Sequence, residues 1–558
     1  MIRIEEKVPA KIPGMTSLFI TFPYNETVKD MLKTQDVYSY SKKTRVWELP
    51  VSSLSFLLDN LTYYDDIELV LMPDEAPAKV RTQMVSYRTE PFPYQADGIS
   101  YGINHDRWLL LDEPGLGKTL QALYIAEELH AQSGLEHCLI ICGINTLKTN
   151  WMREIASHSS LDGIILGQKV SSSGTVSYAS IPERARQLKT PIKEFFVITN
   201  IESFRDDRMV EAFSGSANRF GMVVLDEAHC CKSPTSRQGH NLLELEAPVK
   251  IAMTGTLLLN SPLDAYVPLK WIGAEHSTYT NFKRYYCTMD GRFGGRITGY
   301  RNIGMLKDSI LSSSLRRTKD ILDLPPKTVT CESVDMSDEQ AEFYDGICHG
   351  IREEVAKADK VSIDTASVLA LTTRLRQATA CPSVLSTTPP KSSKIGRAAD
   401  LAGQITDNGD KVVIFSTFKE SVYDLQELLS DRKPLIATGD QSQSDVDRAI
   451  DAFQNDPGRR IMIATWQRMG TGITLTAANY AIFVDTPWTY GAFSQTCDRI
   501  YRIGTDKHVF IYVLACTGTV DEKVWTLVND KRAMSDYIVD GSVTPAEVES
   551  LKKYIQGI

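Results

Sequence analysis

A chain of 558 residues, 42% of them hydrophobic, is too long for one ordinary core and predicts about three or four domains. The net charge of −9 excludes a uniformly basic coat for nucleic acid, although an acidic protein can still carry a locally positive cleft. No apolar run reaches the roughly 18 to 20 residues that span a bilayer, and the ten scattered cysteines lack the paired spacing of zinc knuckles or a disulfide framework.

The first residues carry no signal-peptide core, so a cytoplasmic or nuclear protein is expected, not a secreted one and not a membrane one. Residues 1–80 predict a small α/β module: a strand at 18–22, a short amphipathic helix at 26–33, a strand at 46–49 and a turn-rich linker at 73–77. Within it, Lys42, Lys43, Arg45 and Trp47 lie beside one hairpin-like turn. Two readings stay open for that turn, a solvated bend over a core tryptophan and a nucleic-acid-touching accessory surface.

From residue 85, strand-like runs alternate with helical ones, which predicts a parallel α/β sheet through 275. Runs at 108–111, 139–142, 195–199, 222–225 and 250–253 are short, apolar and suited to strands buried on both faces. Functional residues in such sheets collect at the carboxyl ends of the strands. After the first run comes Asp112-Glu113-Pro114-Gly115-Leu116-Gly117-Lys118-Thr119, succeeded by a helical pattern. Gly115 and Gly117 let backbone N–H groups turn inward around an anion, the helix adds its positive end, Lys118 a point charge and Thr119 a hydroxyl for Mg2+. This is a cradle for a nucleoside triphosphate, although Asp112 stands where the strict motif has glycine. Asp226 and Glu227 directly follow another strand, where the first can hold Mg2+ with Thr119 and the second can orient and deprotonate the attacking water.

Residues 276–385 break the alternation and predict a helical protrusion and linker. A basic, glycine-bearing segment (282–301) leads to Leu315-Arg316-Arg317-Thr318-Lys319 and to Leu324-Pro325-Pro326-Lys327, which cannot continue a helix; helices are expected at 337–357 and 367–379. A second alternating region, 386–530, has five apolar strand-like runs and no phosphate loop, and 531–558 reads as a mixed-charge helical tail. Arg499 and Arg502 are three apart, which would place them on one helix face. They could neutralise charge on a transferring phosphoryl group, or be surface arginines bridging to carboxylates.

The order of these motifs resembles the Snf-type double-stranded-DNA translocases of helicase superfamily two, over residues 88–530. The resemblance implies two RecA-like parallel-sheet lobes with a helical insertion between them, ATP and Mg2+ as cofactors, and DNA-dependent ATP hydrolysis on duplex or branched DNA. It implies Gln95, with Pro93, Tyr94 and Gly98, as the adenine-reading element. Thr146, Lys148, Asn150, Thr199, Ser416, Thr471 and Trp488 fall in motifs that face the nucleic-acid backbone, and Gly472 in one that contacts the nucleotide. The segment from Leu315 to Lys327 is characteristic of the Snf branch and less expected in strand-separating helicases. Leu257, Thr489, Tyr501 and Thr505 depart from the usual pattern without removing a charge that hydrolysis needs. The amino-terminal module resembles the substrate-recognition module of HepA-related annealing helicases, which would make Tyr24, Lys42, Lys43, Arg45 and Trp47 junction contacts. A monomer is expected. A strand-separating helicase of DNA or RNA, and a non-catalytic nucleotide-switched scaffold, are the competing readings.

Overall fold

The computed structural model describes residues 1–8, 16–35, 37–61, 67–70, 81–143, 147–170, 176–231, 233–255, 257, 261–289, 297–357, 365–469 and 473–535. They fall into two compact units, the first comprising Met1–Asp112 and Gly117–Arg317, the second Glu113–Leu116 and the chain from Thr318 onward. Among the described residues no helix is long and apolar enough to cross a membrane.

The first unit opens with five strands, β1 (Ile2–Lys7), β2 (Ser17–Thr21), β3 (Ser39–Ser41), β4 (Val46–Pro50) and β5 (Ile67–Val70), in one sheet of order β3-β4-β2-β1-β5. Neighbours are antiparallel except β1 and β5, which run parallel. Helix α1 (Glu26–Lys33) starts where the Asn25 side chain accepts from the Val28 N–H, and it buries Val28 and Leu32. With α2 (Leu54–Leu61) it covers a core of Ile2, Ile4, Leu18, Ile20, Trp47, Leu49, Leu57 and Leu61.

A seven-stranded sheet comes next in the chain, built from β6 (Arg107–Leu110), β7 (His137–Cys142), β8 (Gly163–Ile165), β11 (Phe196–Asn200), β12 (Phe220–Asp226), β13 (Val249–Met253) and β16 (Ser314–Leu315). All are parallel, in the order β16-β6-β13-β12-β7-β11-β8. Between them in sequence, β9 (Gln168–Val170) and β10 (Val176–Tyr178) form a separate ribbon, and β14 (Cys287–Met289) and β15 (Ile297–Tyr300) a short antiparallel pair. Every residue of β7, β11 and β13 is buried, as continuous apolar runs demand when both faces are covered. Burying each Leu or Ile side chain there contributes about 1.5–3 kcal/mol. Three helices of this unit carry residues of the candidate site: α3 (Pro93–Asn104), α4 (Lys118–Ser133) and α5 (Leu147–His158).

The second unit holds β17 (Lys327–Val334), β18 (Val412–Ser416), β19 (Leu435–Ala437), β20 (Ile461–Thr465), β21 (Tyr480–Phe483) and β22 (Val509–Cys516). They form a six-stranded, wholly parallel sheet ordered β17-β22-β21-β18-β20-β19. Alternate residues feed opposite cores: Val413 and Phe415 pack on one face, Val412 and Ile414 on the other.

Residues 276–385, expected as a helical protrusion and linker, are not helical throughout. Ser314–Leu315 pairs with β6 of the first sheet, and Lys327–Val334 pairs along its full length with β22 of the second. Nor do the helices Asp338–Lys357 and Thr365–Ala380 stand clear of the second sheet. Tyr344, Cys348 and Ile351 on one, and Val368, Leu371, Leu375 and Ala378 on the other, are spaced three or four apart and pack into the core with Val413 and Phe415.

Candidate nucleotide site and nucleic-acid contacts

Strand β6 runs into the loop whose Gly115 and Gly117 have φ of +92° and +73°, a region that residues with a Cβ enter only at a cost. Gly117 caps α4, and a Cβ there would lie 2.2 Å from Gln95 Nε2. Lys118 and Thr119 begin the helix at its positive end, and the Lys118 ammonium donates to the Asp112 carbonyl at 2.7 Å. Gln95 is buried in the first turn of α3, where its Oε1 accepts from the Phe92 N–H at 2.9 Å.

Asp226 ends β12, so the pleat places its carboxylate at the carboxyl edge of the sheet. Oδ2 accepts from Trp151 Nε1 and Oδ1 from the Glu227 N–H, both at 2.9 Å. Burial, reinforced by the neighbouring Glu227 charge, pushes the Asp226 carboxyl up to about 6, while Lys118 and the Trp151 hydrogen bond act in the opposite sense. Glu227 itself sits at φ +51°, a left-handed conformation that costs a non-glycine residue of order 1–3 kcal/mol. Its Oε2 is 3.2 Å from His229 Nδ1, which also lies 3.0 Å from Thr254 Oγ1. Burial opposes a charged His229, but contacts with Cys230 and Glu227 prevail and raise its affinity for the proton to about 10.

The residues assigned to nucleic acid fare unevenly. Thr146, Thr471 and Gly472 lie outside the described residues. Asn150 is half-buried on α5. Lys148 is only 1% exposed, its ammonium 4.2 Å from the Tyr178 ring centroid of the β9–β10 ribbon, and so does not present itself to a backbone phosphate. Thr199 is buried and donates to Ser203 Oγ at 3.1 Å. In the second unit Ser416 is likewise buried, donating to Asp485 at 2.5 Å, because β18 is a central strand with both faces covered. Trp488 is half-buried, 4.5 Å from the Arg376 guanidinium, and Arg376 pairs with Asp485 at 3.1 Å. Nothing in the sequence around the Arg376 helix signalled that buried pair.

Two further expectations are corrected. Trp47 is 6% exposed and packs in the core with the rings of Tyr38 and Tyr40 at 5.4 and 4.8 Å, which removes it as a base-stacking surface; Lys42, Lys43 and Arg45 are exposed on the β3–β4 turn, and Tyr24 is exposed as well. Arg499 and Arg502 do not share a helix face, because the helix Tyr490–Cys497 ends before them and residues 498–504 turn toward Gly504 at φ +94°. Arg502 Nη1 donates to Thr474 Oγ1 at 2.9 Å, and the Arg499 carbonyl accepts from the Leu475 N–H at 2.8 Å.

A cradle after one strand and an acidic pair after another define a candidate nucleotide site, and among the described residues the second sheet carries no cradle. Residues 94–384 match the SNF2-related domain and residues 394–504 the helicase conserved C-terminal domain. The chain belongs to the SNF2-related family. It is 26% identical over 493 residues, 85% of its length and 42% of the relative's, to the DNA annealing helicase and endonuclease ZRANB3 of Bos taurus. Zorya protein ZorD of Escherichia coli is 27% identical over 466 residues, covering 76% of this chain and 42% of that protein. Among solved structures, the Sulfolobus solfataricus SWI2/SNF2 ATPase core in complex with dsDNA is similar at 24% identity and a TM-score of 0.38, covering 85% of this chain and 97% of that one. The chain spans less than half the length of ZRANB3 and of ZorD.

Proposed function

We propose that the chain is a DNA-dependent ATPase that moves on duplex or branched DNA, without sequence preference, to anneal strands, remodel forks or displace bound proteins. The observation that carries this reading is the grouping at one sheet edge of Lys118, Thr119, Asp226 and Glu227, with the Asp226 carboxyl raised by burial first and by Glu227 second, and lowered by Trp151 and Lys118. Two neighbouring carboxylates beside a lysine call for a cation and an anion together. Hard oxygen donors on Thr119 and Asp226 suit Mg2+, which when bound supplies charge neutralisation across the phosphates. On nucleotide binding Lys118 exchanges the Asp112 carbonyl for phosphate oxygens. Glu227 accepts a hydrogen bond from the attacking water, and His229 holds the Glu227 carboxylate in place. Arg499 and Arg502 are assigned to the charge that develops on the phosphoryl group, with Gln95 reading adenine. The name of ZRANB3, a DNA annealing helicase, supports the choice of DNA.

The test is the steady-state ATPase rate with no nucleic acid, single-stranded DNA, blunt duplex, forked DNA and duplex RNA. Lys118→Ala is the blank, and Glu227→Gln is expected to bind ATP while turning over at least ~100-fold more slowly. Stimulation by duplex or fork establishes the translocase reading. Stimulation only by single strands or RNA points to a strand-separating helicase, and absence of turnover with retained ATP binding to a nucleotide-switched scaffold. Full turnover in Glu227→Gln would remove the base from Glu227.

A further inference from the structure

Asp112 is an anomaly: a fully buried carboxylate at the position where the strict phosphate-loop motif has glycine. A buried charge costs several kcal/mol unless it is paired and hydrogen-bonded. Arg317, distant in sequence, meets it with both faces of its fork. Nε donates to Oδ1 at 2.9 Å and Nη2 to Oδ2 at 2.5 Å. Nη2 also donates to Gln121 Oε1 at 2.6 Å, and Gln121 Nε2 donates to Asp112 Oδ2 at 3.0 Å, closing a three-membered ring of contacts. The remaining nitrogen, Nη1, donates to the Tyr94 carbonyl, and the guanidinium carbon lies 5.3 Å from the Tyr94 ring centroid.

Each arm of the fork therefore ends on a different part of the nucleotide site. Tyr94 precedes Gln95 in α3, the side assigned to the base. Asp112 opens the phosphate loop, and its own carbonyl holds Lys118. Gln121 lies one turn into α4, the helix that carries Lys118 and Thr119. The close approach also accounts for Gly98: a Cβ there would fall 2.0 Å from Gln121 Oε1 and 2.7 Å from Arg317 Nη2. We propose that Arg317 is a positioning residue that sets the base-reading turn of α3 in register with the phosphate loop, so that one nucleotide can engage both. The inference rests on the reading of this site as a nucleotide site, but it needs neither hydrolysis nor DNA. Lysine cannot substitute, because a point charge cannot satisfy Asp112 bidentately while reaching Tyr94 and Gln121.

Equilibrium binding to the full chain of ATP, GTP and inorganic tripolyphosphate tests this, with the wild type compared with Arg317→Lys and Gln121→Leu. Arg317→Lys is expected to weaken ATP about tenfold or more and to narrow the ATP-over-GTP preference, with tripolyphosphate binding held within about twofold. Gln121→Leu, which keeps the ion pair, should show the same ATP-selective loss at about threefold. Unfolding midpoints without ligand separate a folding defect from a binding defect. Equal weakening of ATP and tripolyphosphate, no weakening of either, or a wild type that binds tripolyphosphate as tightly as ATP, overturns the proposal. If ATP binding behaves as expected while no DNA stimulates hydrolysis, the translocase reading falls and the positioning role stands.

Discussion

Glu227 and Lys148 show two ways in which the first unit departs from its lowest-energy arrangement. The left-handed backbone at Glu227 turns the chain away from β12 directly after Asp226, which lets two adjacent carboxylates point into the same space, one on the Trp151 indole and one on His229. Lys148 departs through burial. Desolvation first, then repulsion from Arg184, depresses the Lys148 ammonium to about 8, with Cys142 and Glu202 acting in the opposite sense. The sign follows from linkage. With the folded value below the ordinary 10.5, folding below about pH 8 must bury a charge, and that penalty is relieved as pH rises from about 8 toward 10.5. Lys148→Met should therefore raise the melting temperature by a few degrees at pH 7, and the advantage should shrink between pH 8 and 10. A variant that melts lower than wild type at pH 7 would show that the Tyr178 contact and nearby acids already compensate the charge.

At the scale of elements, what the sequence reveals is set by burial. Strands covered on both faces, such as β7 and β18, announce themselves as apolar runs, and the glycines of the phosphate loop stand where the backbone reaches positive φ. The edge strands β17 and β16 give no such signal. β17 reads Lys-Thr-Val-Thr-Cys-Glu-Ser-Val and is mostly exposed or half-buried, because an edge strand tolerates charges and threonines that a central one excludes. Two-residue β16 is too short to show any periodicity. Spacing also misleads at Arg499 and Arg502, where a three-residue interval suggests a helix that has already ended. The Arg317 cluster is invisible for another reason: its partners are about 200 residues apart, and only packing brings them together. On the β3–β4 turn, Lys42 and Lys43 are exposed beside Arg45 at φ +58°, while Trp47 two residues further on is core. If that turn grips nucleic acid, Lys42→Gln with Lys43→Gln should weaken fork binding several-fold and lower the slope of log K against log salt by about 1 to 2, leaving basal ATP hydrolysis unchanged. An unaltered slope would return the turn to the status of a solvated bend.

For the whole molecule, the net charge of −9 and the proposed role on DNA pull in opposite directions. Long-range attraction to a polyanion is weak for an acidic chain, so affinity has to come from close phosphate contacts made by local cations. Such contacts release counterions, and a protein making about 6–10 of them loses roughly 10³–10⁵ in affinity between 50 and 200 mM salt. The chain should obey that law for duplex DNA of any sequence, with random and repetitive duplexes differing by less than about threefold, because phosphates carry no sequence information. Lys118→Ala should lower ATP binding and leave the salt slope of nucleotide-free DNA binding unaltered, since Lys118 donates to the Asp112 carbonyl in the proposed nucleotide site and is assigned to ATP phosphate, not to DNA. A shallow slope in the wild type would mean that bases or apolar surface carry the affinity. A slope that drops by about 1 in Lys118→Ala would place DNA phosphate in the cradle itself and make nucleotide and nucleic acid competitors for one site.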